Sequence, residues 1–179
     1  MAVRPLYRRY WERVIAAGGT ERDRAILAVL FFSGLRAAEL VALRLADLDG
    51  ERSRLWIASR GDWASLSSRG WTWLEAYLDL RPDPAADGPV FLSRRGGALT
   101  PGAVARVVRQ AAQAAGLKRR LRPHLLRRSS GFEMLRQAWR HGDALEEITI
   151  LLGHANAGTT RRYLRRPVTR EEPNAGHPR

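Results

Sequence analysis

The segment LLGHANAGTTRRYLRR, residues 151–166, places a Gly-His pair nine residues before a single tyrosine, in an arginine-rich stretch. Tyrosine is one of the side chains that can form covalent intermediates, and histidine is the side chain that most often moves protons near neutral pH. His154 and Tyr163 are therefore candidate reactive groups. The alternative is that Tyr163 packs into the core, as a single tyrosine in an amphipathic helix more often does.

Two earlier segments combine similar side chains. In SGLRAAEL, Arg36 and Glu39 are three residues apart, and in PHLLRRSS, His124 and Arg127 have the same spacing. At this spacing, His124 and Arg127 lie on one face of a helix start. Each segment also has a simpler interpretation. A Gly-Leu-Arg at a helix junction is commonly a helix end followed by a solvated cation, and PHLLRRSS can be a basic surface helix.

The charge balance of the chain favours a polyanion as its partner. The 179 residues include 31 lysines and arginines against 18 acidic residues, a formal net charge of +13, and Lys118 is the single lysine. A GC-rich genome would explain the choice of arginine over lysine, but not the excess of positive charge. Because each neutralised phosphate releases counterions, the excess indicates nucleic acid binding.

The rarer residues exclude several other classes of function. Without cysteine the chain has no disulfide, no thiolate chemistry and no cysteine-ligated zinc, and four histidines argue against a metal site. The length and the 45% hydrophobic content fit one domain. No apolar stretch approaches the roughly 20 residues that cross a bilayer, and the N-terminus lacks the apolar part of a signal peptide, so we expect a cytoplasmic protein.

Apolar periodicity and helix caps predict a mainly helical chain with one short β-hairpin or meander. The alternation in SRLWIASRGDWASLS predicts this hairpin or meander, with a turn at residues 60–62, and VFLS is expected to be a brief extended piece before a turn at RRGG. Residues 1 to about 19 lie before the first predicted helix. Helices are expected at about 20–34, 37–45, 71–80, 100–116, 123–142, 143–153 and 159–166.

Taken in order, the three segments resemble the blocks of one known family, the tyrosine recombinases or phage integrases. SGLRAAEL is similar to its T-G-L-R-x-x-E-L, PHLLRRSS to its H-x-x-R, and LLGHANAGTTRRY to its L-L-G-H-x-x-x-x-T-T-x-x-Y. The resemblance implies an α+β, mainly α fold, a helical bundle with a small antiparallel β-sheet. We expect this catalytic domain to span residues 1–170 without a separate N-terminal core-binding domain, and residues 171–179 to form a flexible tail.

The resemblance also implies a role for each candidate residue. Tyr163 corresponds to the nucleophile, which forms a 3′-phosphotyrosyl link with DNA without ATP, metal or another cofactor. Arg36 and Arg127 correspond to the arginines that clamp the phosphate. His124 corresponds to a proton acceptor and His154 to a hydrogen-bond donor toward the phosphate.

Two further positions complete the candidate site, and one of them departs from the family. Glu39 corresponds to a supporting acid. The family usually has a lysine at the tip of the β-hairpin, the general acid for the departing 5′ oxygen, but Arg60 occupies this place, 24 residues after Arg36. Arginine is a poor proton donor because its pKa lies above about 12, although its charge can stabilise an alkoxide. We therefore expect cleavage to be slowed or lost.

The function implied is that of a site-specific recombinase or integrase that cleaves and rejoins double-stranded DNA. Expected partners are duplex DNA, further copies of the chain in a tetrameric synapse and a full-length recombinase, with the protein associated with the nucleoid. Two alternatives stay open. One is a degenerate, catalytically weak DNA-binding member that regulates a full-length recombinase, which Arg60 favours, and the other is a type IB topoisomerase, which relaxes supercoils by similar chemistry.

Overall fold

A computed structural model describes residues 8–81, 88–117, 121, 123, 127 and 129–130. In these residues the structure is rich in helices and has one small antiparallel sheet, so the mainly helical α+β fold predicted from the sequence is confirmed. The elements are α1 (Arg8–Ala16), α2 (Glu21–Ser33), α3 (Ala37–Ala42), a 3₁₀ turn (Leu45–Asp47), β1 (Leu48–Asp49), β2 (Arg54–Ile57), β3 (Asp62–Ser65), α4 (Ser68–Leu78) and α5 (Pro101–Ala114).

Helix α2 is the centre of the hydrophobic core. Its sequence is apolar on nearly all sides after the first turn, and residues 25–31 are all buried, as a helix surrounded by other elements requires. The hydroxyl of Thr20 accepts a hydrogen bond from the Asp23 amide at 3.1 Å, a cap that contributes about 1 kcal/mol. Gly34, at φ 66°, ends the helix in the left-handed conformation. Both predicted ends of this helix are confirmed.

Helix α4 packs against α2 at a glycine. A Cβ on Gly70 would lie 2.8 Å from the Cβ of Phe32 and 2.5 Å from Cδ1 of Leu66, so this approach excludes a side chain. The helix begins at Ser68, earlier than predicted, because the Ser67 hydroxyl accepts from the Gly70 amide. It ends at Leu78, two residues earlier than predicted.

The predicted hairpin is present and belongs to a three-stranded sheet of order β1-β2-β3. In β2, Leu55 and Ile57 are buried, whereas Trp56 pairs with Trp63 of β3 on the other face. The turn is made by residues 58–61, and residue 62 already belongs to β3, so the predicted turn at residues 60–62 was placed too late. Strand β1 was not predicted, because its two residues are too short to show alternation.

Helices α1 and α5 pack together on the same core. The Thr100 cap, Pro101 in the first turn and Gly116 at the end of α5 were all predicted correctly. Helix α1 was not predicted, although Trp11, Val14 and Ile15 are buried at helical spacing. An Arg13 guanidinium donates to the carbonyl of Ala115 at 3.1 Å and so binds α1 to the end of α5.

Helix α3 is shorter than its sequence pattern predicts. It ends at Ala42 instead of Leu45, because the next residues bond to a distant segment. The Val90 amide donates to the Leu43 carbonyl at 2.8 Å, and the Leu45 amide donates to the Gly88 carbonyl at 3.0 Å. Extended residues thus replace the last helical turn.

The other expected elements lie outside the described residues for the most part. Residues 123, 127, 129 and 130 are helical, as predicted for the segment that begins at Pro123. The helices expected after residue 142 and the tail from residue 171 are not among the described residues. Across the described ranges, no helix is long and apolar enough to span a membrane.

Candidate active site

The junction between α2 and α3 positions the first candidate arginine. Since Gly34 adopts a left-handed conformation, the chain reverses there, and Arg36 takes an extended conformation at the start of α3. The Arg36 amide donates to Oε2 of Glu39 at 2.6 Å, and Nη1 of its guanidinium donates to Oε1 at 3.0 Å. The Arg36 side chain is nevertheless 60% exposed. One edge of the guanidinium is therefore fixed while much of the group faces solvent.

Arg60 approaches the same carboxylate from the hairpin. Its Nε donates to Oε1 of Glu39 at 2.8 Å, and its Nη2 donates to Oε2 at 2.5 Å. This is the two-pronged geometry in which a planar guanidinium matches a carboxylate. Only 19% of the Arg60 side chain is exposed. Arg60 thus lies in the turn after β2, and its side chain is directed at Glu39.

Arg127 reaches the site from the helical segment after α5. Its Nη1 donates to the carbonyl of Gly34, 93 residues away in the chain, at 2.7 Å. The same nitrogen lies 3.8 Å from Oε2 of Glu39, and the side chain is 12% exposed. The residue that ends α2 therefore also provides the acceptor that orients Arg127. A Cβ at Gly34 would lie 3.3 Å from Oγ of Ser130, which leaves little room for a side chain.

Glu39 is the common acceptor of this site. Its side chain is 3% exposed. Burial raises the pKa of Glu39, but the hydrogen bonds from Arg60 and from the Arg36 amide, with the charges of Arg60 and Arg127, outweigh burial and leave the pKa below its usual value. The carboxylate is therefore ionised near neutral pH. Three guanidinium groups around one carboxylate leave two net positive charges, which suits the binding of an anion.

Four of the seven candidate residues are thus brought together: Arg36, Glu39, Arg60 and Arg127. The other three, His124, His154 and Tyr163, lie outside the described residues, as does Lys118. The sequence predicted Glu39 as a supporting acid. It did not predict the role of the Gly34 carbonyl, because the contacts of a backbone atom leave no signal in the sequence. Within the described ranges, no group of three or more histidine, aspartate or glutamate residues is placed to hold a metal ion.

Comparison with known protein families identifies the family of this chain. The model of the phage integrase family matches residues 10–170. The chain belongs to the phage integrase family. The match includes most of α1, which the sequence patterns missed, and every candidate residue of the site.

Curated relatives of this family member are tyrosine recombinases. The chain is 35% identical over 145 residues to the tyrosine recombinase XerC of Pelobacter propionicus, covering 79% of this chain and 47% of that protein. It is 37% identical over 144 residues to XerC of Xanthomonas axonopodis pv. citri, covering 79% and 46%. The chain therefore spans about half the length of the curated relatives it matches.

Solved structures of recombinases share the fold of this phage integrase family member. The crystal structure of XerA recombinase superimposes with a TM-score of 0.82 at 27% identity, covering 94% of this chain and 62% of that one. A lambda integrase dimer bound to a COC′ core site gives a TM-score of 0.70 at 19% identity, covering 96% and 63%. Both solved structures therefore share the fold of this chain over most of its length.

Proposed function

We propose that this chain carries the catalytic activity of a site-specific DNA recombinase. The observation that carries the proposal is the convergence of Arg36, Arg60 and Arg127 on buried Glu39, from three separate parts of the chain. Guanidinium groups remain charged at any working pH and offer paired N–H donors to phosphate oxygens. A phosphodiester becomes more negative toward the transition state, so fixed cations accelerate its cleavage.

Tyr163 is the proposed nucleophile. Its phenolic oxygen bonds to phosphorus while the bond from phosphorus to the 5′ oxygen breaks. The phenolic proton passes to His124, and the 5′ oxygen takes up a proton to become a hydroxyl. His154 donates a hydrogen bond to the phosphate. The covalent 3′-phosphotyrosyl link keeps the bond energy for rejoining, so the proposed reaction needs no cofactor.

Duplex DNA is the proposed substrate, and further copies of the chain are the proposed partners. The net charge of +13 supports a phosphate-rich ligand. Among the solved relatives, lambda integrase is a dimer bound to a core site, and XerH is bound to its difH substrate. By analogy, strand exchange between two duplexes would use four copies in a synapse. A full-length recombinase is a second proposed partner, and a DNA substrate would place the protein at the nucleoid.

Covalent trapping tests the proposal most directly. The probes are short synthetic duplexes with a single nick, randomised in sequence on both sides, so that cleavage near the nick releases a fragment and prevents rejoining. The 179-residue chain should form a protein–DNA adduct that survives denaturing electrophoresis, and Tyr163→Phe should abolish it. DNA binding without any adduct would instead support the catalytically weak regulator that Arg60 favours.

The salt dependence of DNA binding provides a second test. Because the proposed interface is dominated by phosphate contacts, affinity should fall steeply between about 50 and 200 mM salt. Fluorescence anisotropy with a labelled duplex measures the change. A flat salt profile would contradict such an interface. Relaxation of supercoiled plasmid irrespective of sequence would support the topoisomerase alternative.

A further inference from the structure

Arg60 differs from Arg36 in how its guanidinium is used. Arg36 donates one side-chain hydrogen bond to Glu39 and is 60% exposed. Arg60 donates two hydrogen bonds, one to each oxygen of the same carboxylate, and is 19% exposed. Arg60 therefore directs its hydrogen bonds at Glu39, whereas the Arg36 side chain exposes most of its surface to solvent.

The Arg60–Glu39 pair joins two elements that the chain order does not place together. Arg60 lies in the turn after β2, where its amide donates to the Ile57 carbonyl at 2.8 Å. Glu39 lies in α3, 21 residues earlier. Two parallel hydrogen bonds fix both the distance and the plane of the carboxylate, which a single contact from a lysine would not do.

The orientation of Glu39 in turn determines that of Arg36. Oε1 of Glu39 accepts from both Nε of Arg60 and Nη1 of Arg36, at 2.8 and 3.0 Å. Within the described part of the chain, this is the side-chain contact that holds the exposed Arg36 guanidinium. A rotation of the carboxylate would therefore move the cation. A shift of about 1 Å in a reacting group can cost about 100-fold in rate.

We propose that Arg60 is a positioning residue, which orients Arg36 through Glu39 and does not protonate the departing 5′ oxygen. The proposal rests on the proposed recombinase function. The bond between phosphorus and the 5′ oxygen then breaks with that oxygen taking its proton from solvent water. Two properties of Arg60 support this assignment: its donors are directed at Glu39, and a guanidinium is a very weak acid.

A substrate with a bridging sulfur distinguishes a positioning role of Arg60 from a direct action of Arg60 on the leaving group. Sulfur replaces the 5′ oxygen at the scissile phosphate. Because thiols ionise near pH 8.5, the thiolate leaves without a proton. Arg60→Ala should slow single-turnover adduct formation by about 100-fold, by the same factor on oxygen and sulfur substrates. If sulfur restores the Arg60→Ala variant to nearly the wild-type rate, Arg60 acts on the leaving group and the proposal is wrong.

Two further variants control for charge and for residue type. Arg52→Ala removes an equal charge from the turn between β1 and β2, at a side chain that is 68% exposed, and should cleave at nearly the wild-type rate on saturating DNA. Arg60→Lys restores the charge but not the paired hydrogen bonds, so it should cleave no faster than wild type. Faster cleavage by Arg60→Lys would show that this position serves as the general acid and would overturn the proposal.

A measurement without DNA tests the positioning itself. Carboxyl NMR should show a higher pKa for Glu39 in Arg60→Ala than in the wild type, because burial then opposes only Arg36 and Arg127. The guanidinium signals of Arg36 should also change. If the Glu39 pKa and the Arg36 signals are both unaltered, Arg60 does not position them. Absence of cleavage by the wild type would contradict the recombinase function, while this titration would still decide the role of Arg60.

Discussion

Glu39 and Asp49 each contact more than one arginine, and they differ in how the chain supplies those arginines. Glu39 is buried and contacts Arg36, Arg60 and Arg127. Asp49, on the sheet, accepts from the Arg52 amide at 3.1 Å and from Nε of Arg54 at 2.7 Å. The partners of Asp49 are thus three and five residues away, whereas Glu39 contacts Arg60 and Arg127 from distant segments in addition to Arg36, three residues away.

The contacts of Asp49 belong to a local turn, whereas those of Glu39 bring distant segments together in one site. The hydrogen bond from Arg54, together with the Arg52 amide and the charges of both arginines, outweighs burial and lowers the pKa of Asp49, so both acids are ionised near neutral pH. The Asp49 contacts close the turn between β1 and β2, and Arg54 also covers the ring of Trp63 at 4.1 Å. The Glu39 contacts instead hold an exposed cation, Arg36, at the junction of separate segments. Similar ion pairing therefore serves a strand turn in one place and a candidate active site in the other.

Removal of the Glu39 charge should have the largest effect on stability. Glu39→Gln leaves Arg60 and Arg127, which are 19% and 12% exposed, without their ionised partner. Breaking a buried ion pair in this way costs about 3–5 kcal/mol, which urea unfolding followed by circular dichroism would measure. Asp49→Asn is the matched control and should shift the unfolding midpoint much less. Equal shifts for the two variants would show that the buried Glu39 charge contributes no more stability than the Asp49 charge.

Arg36→Ala should affect cleavage more than folding. The side chain is 60% exposed, so its loss should leave the unfolding midpoint nearly unchanged. Removal of one donor to the transition state costs about 3 kcal/mol of barrier, or about 100- to 1000-fold in single-turnover adduct formation. Arg52→Ala, which removes an equally exposed charge near Asp49, is the control. A similar loss in both variants would mean that Arg36 contributes only general charge.

Acid should lower the stability that both Glu39 and Asp49 contribute to the fold. Both pKa values are lowered on folding, so each carboxylate contributes stability above its unfolded pKa, near 4.5 for Glu39 and 3.8 for Asp49. This contribution is lost as the pH falls through the lower, folded value. The stability difference between wild type and Glu39→Gln should therefore be constant from pH 7 to about 5 and shrink below about 4.5. A difference that grows with acid would contradict the lowered pKa.

The smallest effect is expected at the sheet surface near Asp49. Trp63 is 39% exposed and contacts Arg54 and, at 5.3 Å between ring centroids, Trp56. Trp63→Ala should lower the free energy of unfolding by about 1 kcal/mol, the usual contribution of an exposed cation–π contact with an aromatic pair. Trp63→Phe, which keeps an aromatic ring, should lose less. Loss of cleavage in either variant would connect this surface with the active site.

The local parts of the fold could be predicted where a residue acts on its near neighbours. Thr20 and Thr100 cap their helices with hydroxyls, and Gly34 and Gly116 end the same two helices at positive φ. These effects depend on residues within one turn of the chain, so the sequence displays them directly. Helix α1 was missed because it has no described capping signal and is held by burial of its apolar face. The end of α3 was misplaced because residues 88–90 compete for its backbone.

The sequence by itself determined the family blocks, the excess of positive charge and the candidate residues of the site, including Arg36, Glu39 and Arg127. It also placed an arginine at the hairpin turn, where the resemblance to the family leads to the expectation of lysine. Only the tertiary structure decided that Arg60 binds both oxygens of Glu39 and that Arg127 donates to the Gly34 carbonyl. The physical reason is that such bonds depend on the direction of side chains from elements far apart in the chain, which folding fixes by packing the hairpin and helices on one core.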